Sequence, residues 1–171
     1  MSLPALEHLL AHGYALTVVG QPWASALLQA YPLHVIGAPA GLRAQIDALR
    51  QTRQGAPAPA LLLTNSFSSA LACRLAGLRP IGYATDARGL LLAQALPAPP
   101  PLHMVEYYFA LARHLTGDQA ASPSPPSLRL AADAHARAAA LLQAAGIAGA
   151  YVMLSPVAAG LHRGRVKAWS G

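Results

Sequence analysis

Two polar stretches follow apolar runs in this chain, and both carry side chains able to handle a sugar or a phosphate. The first, Thr64-Asn65-Ser66-Phe67-Ser68-Ser69, comes directly after Ala60-Leu61-Leu62-Leu63. An amide and several hydroxyls at a strand-to-helix junction can hold sugar hydroxyls or phosphate oxygens, because helix N-termini favour anions. The same residue types also cap helices, so spacing alone leaves Asn65 or Ser66 open to being a plain N-cap. The second stretch is Gly82-Tyr83-Ala84-Thr85-Asp86-Ala87-Arg88-Gly89. Here Asp86 and Arg88 are candidates for a base and an anion clamp, or for a loop ion pair of small worth. His103, followed by Glu106, Tyr107 and Tyr108, is either a ligand donor or a surface histidine at a helix start.

The closing segment, Ser155 to Trp169, combines flexible glycines with Arg163, Arg165, Lys167 and an indole. Such a set suits a diphosphate and nucleotide contact, or else is a solvated basic tail. It is not a Walker A loop, because GxxxxGK[ST] does not fit Gly160, Gly164 and Lys167. No GxSxG elbow, GxGxxG turn or Ser/His/Asp order is present. His103 and Glu106 lack an HExxH context and no Cys/His cluster exists, so neither a structural metal nor a cofactor is expected. The lone Cys73 sits in Ala70-Leu71-Ala72-Cys73 and reads as a small buried hydrophobe; it permits no internal disulfide and suits a reducing compartment.

Helical and extended segments alternate around these residues. Helices are predicted over 2–12, with Ser2 as cap and Pro4 in the first turn, and over 22–30. Others are predicted over 42–53, with Leu42, Ile46 and Leu49 inward, and over 66–76, 103–115 and 131–145. Strands are predicted over 15–19, 34–36, 60–64, 80–83 and 151–154, with Leu90-Leu91-Leu92 extended as well. Pro97 to Pro101 and Asp118 to Ser127 read as loops. Strands alternating with helices argue a parallel α/β sheet with right-handed crossovers. The chain opens on a helix, where a doubly wound domain opens on a strand and its ligand-binding turn.

With 171 residues, 54% hydrophobic and 11% charged, the chain has room for one core and little charge to solvate it. That excludes a charge-rich disordered chain, and leaves either a face hidden against a partner or domain or a chain poorly soluble alone. Twelve Lys+Arg against six Asp+Glu give a net charge of +6. The arginines are spread singly over most of the sequence rather than in dense runs among aromatics, which argues against nucleic acid. The charge suits small anionic ligands or an acidic membrane surface. No apolar stretch is long enough for a transmembrane helix and the start lacks the pattern of a signal peptide, so a cytoplasmic place is expected.

Taken in order, residues 63–71 (Leu63-Thr64-Asn65-Ser66-Phe67-Ser68-Ser69-Ala70-Leu71), 76–92 (from Ala76-Gly77-Leu78-Arg79-Pro80-Ile81-Gly82-Tyr83 through Asp86 and Arg88 to Leu92), 103–108 (His103-Met104-Val105-Glu106-Tyr107-Tyr108) and the closing Ser155-Pro156 to Lys167-Ala168-Trp169 resemble glycosyltransferase family 9. More narrowly they are similar to its ADP-heptose:lipopolysaccharide heptosyltransferase II branch. The resemblance implies the N-terminal acceptor domain of a GT-B enzyme: a Rossmann-like parallel sheet with flanking helices, here lacking its first strand. It implies that residues 1–150 form that domain and that 151–171 lead into a nucleotide-sugar domain. It implies transfer of heptose from ADP-heptose to the lipopolysaccharide inner core, at the inner face of the inner membrane. The family's general base, an Asp after the first strand, then falls upstream of Met1, so the chain by itself is expected to be inactive and prone to self-association.

By the same resemblance Asn65, Ser66, Ser68, Arg88 and His103 face the acceptor cleft. Lys167 contacts the donor diphosphate, and Trp169 supports that loop. A different class remains open beside this one: a non-catalytic α/β protein that binds an anionic sugar or nucleotide.

Overall fold

The computed structural model describes residues 1–53, 55, 57–153, 157–162 and 165–168, the last two ranges as backbone only. Residues Met1–Ala131 form one compact unit and Ala132–Gly171 a second.

In the first unit the elements run α1 (Leu3–Ala11), β1 (Thr17–Gly20), α2 (Trp23–Leu28), β2 (His34–Gly37), α3 (Leu42–Gln51), β3 (Pro59–Leu61), α4 (Phe67–Leu75), β4 (Arg79–Tyr83), β5 (Gln94–Leu96) and α5 (Met104–Thr116). Pro4 lies in the first turn of α1, where a missing N–H costs nothing, but Ser2 makes no side-chain capping bond. All strand pairs here are parallel. β1 pairs with β2, and β3 with β4 and β5 in the order β3-β4-β5. Among the described residues no hydrogen-bonded pairing joins β1 to β3.

Side chains on β3 alternate between two apolar layers, as the two-residue period of a strand requires. Ala60 and Leu62 belong to one layer, with Ile46, Ala70, Ala72, Cys73, Ala76 and Leu78 of α3, α4 and the turn after α4. Leu61 belongs to the other, with Ala5 and Leu9 of α1 and Phe109 and Ala112 of α5. Leu16, at the entry to β1, packs into that second layer too, so α1 and α5 cover the ends of both sheets from one side. Burying Leu9 and Phe109 stabilises by roughly 1.5–3 kcal/mol each, which is enough to hold α1 on α5. Helices on both faces of short parallel sheets give a mixed α/β architecture of Rossmann-like type.

Three expectations are corrected. Leu90-Leu91-Leu92 is not a strand: residues Arg88–Leu91 form a 3-10 turn, only Leu92 of the three is extended, and the strand comes later, at β5. The reason is that Leu91 and Leu92 are drawn onto the first apolar layer, while Leu92 N–H closes the turn on Gly89 O. Leu42 does not point inward but remains exposed, leaving Ile46 and Leu49 as the buried stripe of α3. Tyr151, Val152 and Met153 are exposed and not in a strand, and Leu154 lies outside the described residues.

In the second unit, α6 (Ala134–Ala144) buries none of its residues. β6 (Val157–His162) and β7 (Arg165–Ala168) form an antiparallel pair, with Ala158 opposite Lys167 and an irregularity between Ala158 and Leu161. An apolar run becomes a strand only where it finds a paired neighbour. Here the glycine- and arginine-rich residues after Pro156 pair with one another, and the more apolar 151–153 do not.

Candidate acceptor site at the carboxyl ends of the parallel strands

α4 and α5 both begin beyond the carboxyl ends of parallel strands, where open α/β sheets bind ligands. Ser66 is the N-cap of α4: its backbone is extended and its Oγ accepts from Ser69 N–H at 3.4 Å. The capping role therefore holds for Ser66, and the hydroxyl also lies 2.6 Å from Ser68 Oγ. Both serines are exposed, as is Asn65. The Asn65 amide Nδ2 donates to Tyr107 Oη at 2.7 Å, and the Tyr107 hydroxyl donates back to Asn65 Oδ1 at 3.0 Å.

His103 is the N-cap of α5, and its Nδ1 accepts from Val105 N–H at 3.4 Å. A ring nitrogen that accepts is unprotonated in neutral imidazole, so Nε2 carries the N–H and is left for a ligand. The two roles read from the sequence, cap and donor, thus use different nitrogens of one ring. Tyr107 lies one turn further along α5, its N–H donating to His103 O at 3.0 Å. Asn65 on one loop and His103 on the other are therefore tied through Tyr107.

Beneath this rim lies a buried support. The Tyr83 hydroxyl, at the end of β4, donates to Tyr107 O at 2.8 Å, and the two rings lie 4.4 Å apart between centroids. Burial pushes the Tyr83 phenol up to about 12, so it stays a neutral donor. Arg88 is fully buried, not at the surface. Its Nε donates to Tyr83 O at 2.8 Å and its Nη1 to Thr64 O. It is thus a strut between the ends of β4 and the loop after β3, and burial lowers its pKa. Its Nη2 has no hydrogen-bond partner among the described residues and abuts Gly82, where a Cβ would come within 2.8 Å of it. Glycine is needed there for that close approach.

Asp86 is exposed and forms no ion pair with Arg88 among the described residues. It and Ala87 both have positive φ, 47° and 60°. Of the donor-side residues, Lys167 lies in β7 with its side chain undescribed, and Trp169 is outside the described residues. Sequence reasoning did not single out Tyr83 and Tyr107. Their only signal was position, at the end of one strand and one turn into a helix.

A neutral amide, two hydroxyls and an imidazole N–H at two helix starts make a surface suited to polyol and phosphate oxygens. A separate cavity of about 160 Å³, lined by Pro59, Arg79, Ile81, Ala93, Gln94 and Leu115, lies at the amino ends of the strands. It is smaller than the usual ligand pocket and holds no cluster of polar donors.

The model of glycosyltransferase family 9 (heptosyltransferase) matches residues 48–171, well over half of the chain. The chain belongs to glycosyltransferase family 9. The match contains every candidate site residue, whereas α1, β1, α2 and β2 precede it. The comparisons with curated proteins and with solved structures returned no match. Membership makes this a glycosyltransferase of the heptosyltransferase family, working on a sugar-nucleotide donor and an acceptor. No helix among the described residues is long and apolar enough to cross a membrane.

Proposed function

We propose that this chain supplies the acceptor side of a GT-B heptosyltransferase of the heptosyltransferase II type. The donor is ADP-heptose and the acceptor the lipopolysaccharide inner core, met at the inner face of the inner membrane. The observation that carries the acceptor side is the Asn65–Tyr107–His103 array at the carboxyl end of the β3-β4-β5 sheet. Asn65, Ser66, Ser68 and His103 contact acceptor hydroxyls and phosphate, and Arg88 acts through them by fixing the Thr64 carbonyl. Residues from 151 onward lead to a nucleotide-sugar domain, where Lys167 meets the donor diphosphate and Trp169 supports the loop.

Family chemistry needs a base for the acceptor hydroxyl and donors for the departing diphosphate. We assign the base to an aspartate that follows a strand seated between β1 and β3, ahead of α1. Support comes from the strand order: β2-β1 and β3-β4-β5 are the doubly wound order 3-2-1-4-5-6 with its central member left out. The 171-residue chain alone is then inactive. Incubation with ADP-heptose and inner-core acceptor tests this, with no transferred heptose expected by mass spectrometry and restored transfer once the preceding strand and second domain are present. Robust turnover by the 171-residue chain would overturn the assignment of the base.

A further inference from the structure

At the other end of α5 from the acceptor site, roughly 20 Å away along the helix, α1 and the residues following α5 bring together three metal-ligating side chains. His8 on α1 and His12, the residue that caps its C-terminus, are four apart, so their rings share one face, with centroids 4.2 Å apart. Asp118, just past the Gly117 that ends α5, brings its Oδ2 to 3.7 Å from His12 Nε2. One ring nitrogen of each histidine and a carboxylate oxygen of Asp118 all lie within 4.8 Å of one another.

We propose that His8, His12 and Asp118 form a binding site for a divalent transition-metal cation of the zinc class, which clamps α1 to the end of α5. Both rings are already oriented by neighbours of the kind that hold metal-binding imidazoles. His12 Nδ1 lies 2.8 Å from His8 O, and a carbonyl only accepts, so Nδ1 is the donor there and Nε2 is the ring nitrogen turned towards Asp118. The His8 ring is anchored through Nε2 to Thr116 Oγ1 at 3.0 Å and flanked by the Phe109 ring at 4.9 Å. Thr116 in turn donates to Arg113 O at 3.2 Å and accepts from Asp118 N–H at 3.3 Å, so one hydroxyl sets the places of two of the three ligands.

Tetrahedral ligands about 2.1 Å from zinc stand about 3.4 Å apart, so the cluster must tighten by at most about 1.4 Å. Asp118 and His12, 40% and 35% exposed in their side chains, have the freedom to supply that movement. The Arg113 guanidinium, a competing positive charge, donates to Ala121 O at 3.3 Å and lies over the Phe109 ring. Two imidazoles and one carboxylate favour zinc, nickel or cobalt over magnesium or calcium, and leave a coordination position for water. The spacing of the two histidines was visible in the sequence, but the third ligand comes from the far end of the folded unit. His8 and His12 precede the family match, Asp118 lies within it, and none of the three is among the proposed acceptor or donor residues.

Zinc chloride titrated into the untagged 171-residue chain against a chromophoric chelator tests the site. One equivalent should bind with micromolar or tighter affinity, and should raise the melting temperature. His12→Gln, a change at the exposed end of α1, should weaken binding tenfold or more, as should Asp118→Asn. His135→Gln, on α6, should leave it unchanged. Cobalt should give visible absorption in the parent that His12→Gln loses. Absence of saturable zinc binding, or binding that survives both ligand substitutions undiminished, would show the cluster to be only a stacked pair with an ion contact.

Discussion

Two buried side chains, one in the first apolar layer and one at the end of β4, are held neutral by burial, and that has a measurable sign. Cys73, 5% exposed, has its thiol pushed up to about 11, and Tyr83 its phenol to about 12. Both values exceed the ordinary 9.0 and 10.0, so their contribution is complete below the unfolded values and is lost as pH rises through the folded ones. Urea midpoints should therefore fall between pH 9 and about 12, with part of that fall removed in Cys73→Ala. The same burial should keep Cys73 from reacting with a thiol reagent at pH 8 until the chain is unfolded. Arg88 makes a larger demand. Arg88→Ala would empty a buried volume and strand the Tyr83 and Thr64 carbonyls, and is expected to cost about 3–5 kcal/mol in equilibrium unfolding. A cost below about 1 kcal/mol would mean the strut is not what holds the loop.

Elements place these residues through their ends rather than their middles. α4 starts on a serine cap and α5 on a histidine cap, and the loop after β4 turns through two non-glycine residues of positive φ. Ala87 at φ 60° costs about 1 kcal/mol relative to glycine, so Ala87→Gly should raise stability by up to that amount. Gly82→Ala should lower it by about 1–3 kcal/mol, because the new methyl meets the Arg88 guanidinium at 2.8 Å. Thermal unfolding of the pair checks both signs. The apolar runs and the glycine and proline breaks made α1 to α5 and the first four strands legible to within a few residues. What misled was apolar composition without a partner: Leu90-Leu91-Leu92 and Tyr151-Val152-Met153 look like strands, yet Leu91 and Leu92 pack on the core while Leu90 is exposed, and 151–153 have no paired neighbour among the described residues. At the site, Asn65, Ser66 and His103 were legible as residues at helix starts, whereas the burial of Arg88 and the bridging role of Tyr107 depend on contacts across the fold.

At the scale of the whole molecule, the parallel strands form two sheets, and among the described residues β1 and β3 each have an unpaired edge. In β1, residues 16 and 20 bond towards β2, so alternation turns the backbone groups of Thr17 and Val19 towards the open edge. Open parallel edges invite pairing, and exposed Val19, Tyr151, Val152 and Met153 add apolar surface. Light scattering on the purified chain should therefore show mass rising with concentration. A monodisperse monomer at millimolar protein would count against edge pairing.

The central claim is that the array joining Asn65, Tyr107 and His103 receives the acceptor, and it is tested most directly by backbone amide NMR during titration with an inner-core oligosaccharide. Shifts confined to residues 64–69, 84–89 and 103–108, with affinity reduced tenfold or more in Asn65→Ala, are the predicted result. Saturable binding that leaves those amides unmoved, or equal affinity in Asn65→Ala, would contradict it.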